Sequence, residues 1–212
     1  RRDAVRMTTQ RAWRAYMKYA AGFDELRPLS RLGTNNVTPI DVLDTFWMMD
    51  LKYEFKEAVD IIRNIDFHKA TNELSFFETG IRVLGGLLSA YELSSEPILL
   101  KKAVEIGDIL LVAFNTPTGL PLSRVDPRSM TANGKSVVLA EIGSNQMEFA
   151  KLTEFTGDNK YREKSQKVIE YLSRVETDAP GLVPVFMDSI SGKLGSNFVT
   201  FGALGDSYYE YL

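Results

Sequence analysis

The sequence predicts a mainly α-helical protein, and three observations carry that expectation. Apolar residues recur at helical spacing along most of the 212 residues, the segments so defined begin and end on capping residues, and the joints between them are short. The spacing places helices over 6–21, 39–50, 52–65, 75–93, 97–113, 136–156 and 159–174. The second starts at Thr38-Pro39-Ile40-Asp41, which offers a hydroxyl N-cap, a proline pre-set for the first turn and an acid for the helix dipole. Residues 115–135 carry Pro117, Gly119, Pro121, Pro127 and Gly134 and are expected to form a long loop, a kind that often bears function. Between the last two helices, Thr156-Gly157-Asp158 reads as a glycine stop followed by a fresh cap. LVPVFM and SNFVTF flank the turn-rich DSISGKLG and predict a small β-hairpin near 182–201. Ser207-Tyr208-Tyr209-Glu210 has capping-box spacing, so residues 206–212 read as a helix just begun, and the chain is expected to be part of a longer protein. Helix following helix, with no near-identical repeat and no composition shift, suits a bundle, a solenoid or a barrel of helical hairpins.

Composition narrows the function. Hydrophobic residues make up 44% and charged residues 25%, enough to bury a substantial core. The 25 basic and 28 acidic residues are scattered, leaving no basic stripe to meet a phosphate backbone, so no nucleic-acid partner is expected. No apolar run approaches the roughly 20 residues that span a bilayer. The charged start, RRDAVR, is not followed by a signal-type segment, so any signal or anchor is expected outside this chain. Without cysteine there is neither a disulfide framework nor a thiolate metal site. One glycan-acceptor triplet, Asn36-Val37-Thr38, runs directly into Pro39.

The chemistry lies in carboxylates set among apolar residues. In SFFETGIRVLGGLLSAYELS, from Ser75, helical geometry puts Glu78, Arg82, Gly85 or Gly86, and Ser89 on one narrow stripe. Phe77, Ile81, Leu84 and Leu88, and Phe76, Val83, Leu87 and Ala90, form two flanking apolar faces. That is the pattern of an inner helix with a polar slot toward a cavity. A buried ion pair kept for packing explains Glu78 and Arg82 as well as a general acid does, because burial raises a carboxyl pKa while a neighbouring guanidinium lowers it. In SVVLAEIGSNQMEFAKL, Glu141, Asn145 and Glu148 fall at i, i+4 and i+7, so two carboxylates are expected on one face. Asp206 follows GALG, where favouring a helix N-terminus is the simplest role. His68, the sole histidine, removes histidine clusters and triads from consideration unless it acts itself. Paired carboxylates without metal ligands point first to glycoside hydrolysis.

These residues also carry a resemblance. The ordered series RAWRAYMKYAAGFDELRPLS, VTPIDVLDTFWMMDL with YEF, LSFFETGIRVLGGLLSAYELS, AFNTPTGLP, VVLAEIGSNQMEF, TGDNKY and GALGDSYYEYL spans nearly the whole chain. It resembles the class I α-1,2-mannosidases of glycoside hydrolase family 47. The resemblance implies an (α/α)7 barrel of helical hairpins, with residues 1–212 about the N-terminal half of a single catalytic domain. It implies an inverting, calcium-dependent hydrolase that removes terminal α-1,2-linked mannose from high-mannose N-glycans in the lumen of the secretory pathway or after secretion. Glu78 then corresponds to the general acid, Arg82 to a substrate-binding arginine, Glu141 to a sugar-contacting glutamate and Asp206 to a catalytic aspartate. Glu148, Leu204 and Asp44 join the substrate-binding candidates; Asp41, with Asp44 in the DVLDT motif, is a further pocket-lining candidate equally explained as a cap partner of Thr38. Leu204 stands where family members confined to one glycan branch carry arginine and broader trimmers carry leucine. The family's proposed base and its calcium-binding threonine fall later in the domain, so the calcium ligands and the remaining half of the barrel are expected outside this chain. Gln10, Ala21, Asp50 and Ser144 depart from the family's usual histidine, tryptophan, glycine and threonine, and Gly80 sits mid-helix at a cost near 1 kcal/mol against alanine. A catalytically weak, mannose-binding quality-control relative is the alternative function, disfavoured by the presence of an acid that pure binding does not need.

Overall fold

The computed structural model describes residues 1–23, 25–34 and 38–212, with residues 32–34 as backbone alone. The first two positions of the Asn36-Val37-Thr38 triplet therefore lie outside the described residues. In chain order the elements are α1 (Arg2–Ala20), β1 (Glu25–Arg27), β2 (Leu32–Thr34), α2 (Thr38–Asp41), α3 (Leu43–Met48), α4 (Lys52–Arg63), β3 (Leu74–Ser75) and α5 (Phe76–Glu78). A π-helical segment, Thr79–Leu84, leads into α6 (Gly85–Ser94), then α7 (Pro97–Leu111), β4 (Arg124–Asp126), β5 (Thr131–Asn133) and β6 (Ser136–Val138). The remainder is α8 (Leu139–Ile142), α9 (Gln146–Thr156), α10 (Lys160–Leu172), β7 (Phe186–Asp188) and α11 (Asp206–Glu210). The expected helical class holds, and two compact units result: Arg1–Ile65 with Gly85–Lys102, and Asp66–Leu84 with Ala103–Leu212.

In the first unit, the helical stripe of α1 buries Trp13, Tyr16 and Ala20. Trp13 meets Phe46 of α3 edge-on, with ring centroids 5.0 Å apart, and its indole N–H donates to Glu57 of α4 at 2.9 Å. Gln10 donates to the buried Glu54 of the same helix at 2.7 Å, which supplies the partner a buried carboxylate requires. The helix expected over 39–50 is divided at Val42, although bonds from Val42 N to Thr38 O (3.3 Å) and from Phe46 N to Val42 O (2.9 Å) carry the helical path across the division.

The second unit is built on an aromatic row: Phe76, Phe114, Phe149 and Tyr161 follow one another at centroid spacings of 5.3, 5.7 and 6.3 Å. The Tyr161 hydroxyl donates to Asp108 at 2.8 Å, satisfying the one polar atom of that row, and its pKa is pushed up to about 12, chiefly by burial. Gly157, at φ +73°, ends α9 as expected, and the Asp158 carboxylate accepts the Lys160 N–H at 3.0 Å to start α10. The stretch 115–135 is less irregular than expected, because β4 and β5 pair antiparallel and β3 joins them. Chain reversal near 182–201 is present, with Asp188 N bonded to Lys193 O (2.9 Å) and Gly195 N to Phe186 O (2.7 Å). Its regular ladder, however, is between β7 and β6, Val137 opposite Met187.

That pairing corrects the helix expected over 136–156. Ser136, Val137 and Val138 are recruited as a strand, where β-branched side chains sit well. The helix that follows breaks at residues 143–145. A methyl group at Gly143 would lie 2.5 Å from Cδ2 of Tyr208, so only glycine lets α11 approach α8 this closely.

Candidate active site

Glu78 is placed by a local device. Ser75 leaves the strand with extended backbone and its hydroxyl accepts the Glu78 N–H at 3.3 Å, capping α5. The turn then widens into the π-helical segment, a geometry frequent at functional sites. Arg82 Nε donates to Glu78 Oε2 at 2.5 Å. The side chains are 50% and 52% exposed, so the pair is not the buried one expected for packing. At that exposure an ion pair contributes at most about 1 kcal/mol, and stability does not account for it.

Glu141 belongs to α8, which packs against both α5 and α11. The N-terminal amides of α8 are met by backbone carbonyls, Leu139 N by Val185 O at 2.8 Å and Ala140 N by Leu204 O at 3.0 Å. Half-buried, the Glu141 carboxyl is pushed above the usual range, mainly by desolvation; the Glu78 charge adds to the rise and Arg124, from β4, opposes it. Glu78 and Glu141 are therefore electrostatic neighbours.

Asp206 opens α11, and its carboxylate accepts the Ser207 N–H at 3.0 Å. Leu204, two residues earlier, holds the left-handed backbone at φ +79° with its side chain turned to solvent. For a residue other than glycine that conformation costs of order 1–3 kcal/mol and is held by the surrounding structure. The Leu204 carbonyl on Ala140 is part of what holds it.

Glu148 is held differently from Glu141. With the helix broken at residues 143–145, the i, i+7 relation to Glu141 no longer runs along one continuous helix, as the spacing had assumed. Glu148 is turned inward: the Tyr211 hydroxyl donates to Oε1 at 2.9 Å, Oε2 is buried without a partner, and burial pushes the carboxyl up. Asp44 lies in the first unit, where Oδ2 accepts from Ser89 at 3.0 Å and Oδ1 from Thr45 N at 2.6 Å. His68 forms a 3.0 Å bond with the Pro127 carbonyl. Arg124, beside Glu141, and Tyr211, beside Glu148, are neighbours that periodicity did not single out, although the first lies in the flagged stretch 115–135 and the second in YEYL. A cavity of about 660 Å³ lined by Lys167, Glu170, Tyr171 and Arg174 contains none of these acids. Among the described residues, no group of three or more His, Cys, Asp or Glu side chains is arranged to hold a metal, and no helix is long and apolar enough to cross a membrane.

A helical scaffold presenting an ion-paired glutamate, a second glutamate with a raised pKa and an aspartate at a helix start defines a carboxylate-bearing α/α protein of the glycoside hydrolase kind. Residues 8–212 match the family described as Glycosyl hydrolase family 47, and the chain belongs to that family. It is 42% identical over 224 residues to a mannosyl-oligosaccharide 1,2-alpha-mannosidase of Arabidopsis thaliana, covering 100% of this chain and 40% of the relative. Identity to the human endoplasmic reticulum mannosyl-oligosaccharide 1,2-alpha-mannosidase is 40% over 211 residues, 95% of this chain and 30% of that protein. The structure of an alpha-1,2-mannosidase from Trichoderma reesei superposes with a TM-score of 0.91 at 32% identity, covering 99% of this chain and 48% of that one. The fold is thus that of an α-1,2-mannosidase α/α barrel, of which this chain spans less than half.

Proposed function

We propose that the protein containing this chain hydrolyses terminal α-1,2-linked mannose of high-mannose N-glycans with inversion. The observation that carries the reading is the Glu78–Arg82 pair, half-exposed on a π-widened turn, with Glu141 within its field, in a chain of family 47. Glu78 is the general acid that protonates the leaving glycosidic oxygen, and Arg82 holds the acid and the sugar in register. Glu141 contacts sugar hydroxyls, and Asp206 is the second catalytic carboxylate of this chain. Inversion needs a base across a gap of roughly 6.5–9.5 Å from the acid to activate water. We place that base in the rest of the domain, together with the ligands of a calcium ion. Calcium takes six to eight oxygens, and the chain lacks the dense acidic loop that supplies them locally. When bound, the ion would supply a fixed positive charge for sugar hydroxyls. A lumenal or secreted location follows from the substrate. Leu204 presents no guanidinium to anchor one glycan branch, so several linkages are trimmed.

The test is a time course of the complete protein on a nine-mannose N-glycan. Stepwise loss of several mannoses is expected, and accumulation of one isomer lacking a single mannose would refute the broad specificity. Leu204→Arg should narrow the products toward one isomer. Glu78→Gln should lower turnover by roughly 10²- to 10⁴-fold with glycan binding retained; unchanged turnover rejects Glu78 as the acid.

A further inference from the structure

The turn that carries Glu78 and Arg82 and the turn that carries Glu141 meet through one side chain that the proposed reaction does not use. Asn145 is 2% exposed. Its Nδ2 donates to the backbone carbonyl of Glu141 at 3.2 Å, which fixes the direction of the amide. The other end of the amide, Oδ1, is buried without a hydrogen-bond partner and lies against Gly80. A methyl group at Gly80 would overlap Oδ1 and come within 3.2 Å of Cγ. Gly80 is itself buried, inside the π-helical segment and midway between Glu78 and Arg82.

Each residue is unfavourable by itself. Glycine inside a helix loses stability to backbone entropy, and a buried amide oxygen with no donor loses its solvation. An apolar side chain of similar length would fill the same space without that second loss. What the pair achieves jointly is a close approach of two backbone segments, one end of the amide bonded to Glu141 and the other seated where Gly80 has no side chain. We propose that Asn145 is a positioning residue, whose amide, received by Gly80, sets the spacing between the Glu78–Arg82 turn and Glu141. The inference rests on the glycosidase reading of that site.

The experiment compares Asn145→Ala, Gly80→Ala, Gly80→Ala/Asn145→Ala and Glu78→Gln in the complete protein, with kcat and KM on the nine-mannose glycan and a thermal melt for each. Asn145→Ala should lower kcat by up to roughly 10²-fold, the scale of an ångström-sized misplacement, with KM little changed. Gly80→Ala should lose as much, and the double variant should regain part of the loss, because the new methyl occupies the space the amide vacates. A packing role alone would lower the melting temperature without splitting kcat from KM. Wild-type kcat in Asn145→Ala, beside a strong loss in Glu78→Gln, overturns the positioning role and leaves the reading of the site standing. Undiminished turnover in Glu78→Gln overturns both. A double variant no more active than Gly80→Ala also overturns the pairing, and if Gly80→Ala does not fold, the kcat of Asn145→Ala alone decides.

Discussion

Glu148 shows what one inward-turned carboxyl does to the molecule. Desolvation raises its pKa in the folded state, while the Tyr211 hydroxyl works in the opposite direction and does not cancel it. The folded protein therefore holds this proton more tightly than the unfolded chain does. The resulting destabilisation is absent below the ordinary value of 4.5, grows as pH rises from there to the folded-state pKa, and is constant above it. Glu148→Gln keeps an acceptor for Tyr211 and removes the charge. The variant should match the wild type near pH 4 and gain in relative melting temperature toward pH 7. Parallel melting curves across that range would show that Glu148 does not titrate in this way.

At the scale of elements, the site depends on breaks in helices more than on helices. The capped start of α5, the i, i+4 relation of Glu78 and Arg82, and the Gly157 joint were all legible, because each depends on residues within a turn of one another. The break at residues 143–145 was not, and the side chain that crowds Gly143 there, Tyr208, lies far along the chain. Likewise, the strand character of residues 136–138 depends on β7, some fifty residues later, and the π-widened turn meets Asn145 from another element. Periodicity reads a single helix correctly only while its neighbours leave it intact, so the one-helix spacing of Glu141 and Glu148 does not hold and Arg124 was overlooked. Gly143→Ala tests the close approach of Tyr208. A methyl 2.5 Å from the Tyr208 ring must displace α11, and overpacking of this kind costs about 1–3 kcal/mol. A lower melting temperature and a lower kcat in the complete protein are expected, since Asp206 heads the displaced helix. Unaltered values for both would mean that α11 is not held by that contact.

For the molecule as a whole, the chain spans 30–40% of the length of the curated relatives it was compared with above. Calcium gives a check at this scale: if its ligands lie outside these residues, Glu78→Gln, Glu141→Gln and Asp206→Asn should each leave the calcium stoichiometry of the complete protein unchanged by elemental analysis. Loss of the ion in any of the three would place a ligand here. The two compact units also interleave along the chain, because Asp66–Leu84 belongs with Ala103–Leu212 and interrupts the unit that resumes at Gly85. On the ribosome, the first unit cannot close until α6 has emerged. The segment with Glu78 and Arg82 emerges early, yet its partners α8 and α9 are made much later. Phe76, buried in the finished fold against Phe114, lacks that partner throughout the interval, and such long-range contacts form late and slowly. Synthesis thus leaves the acid-bearing turn without the rest of its unit on the nascent chain until the residues after Lys102 arrive.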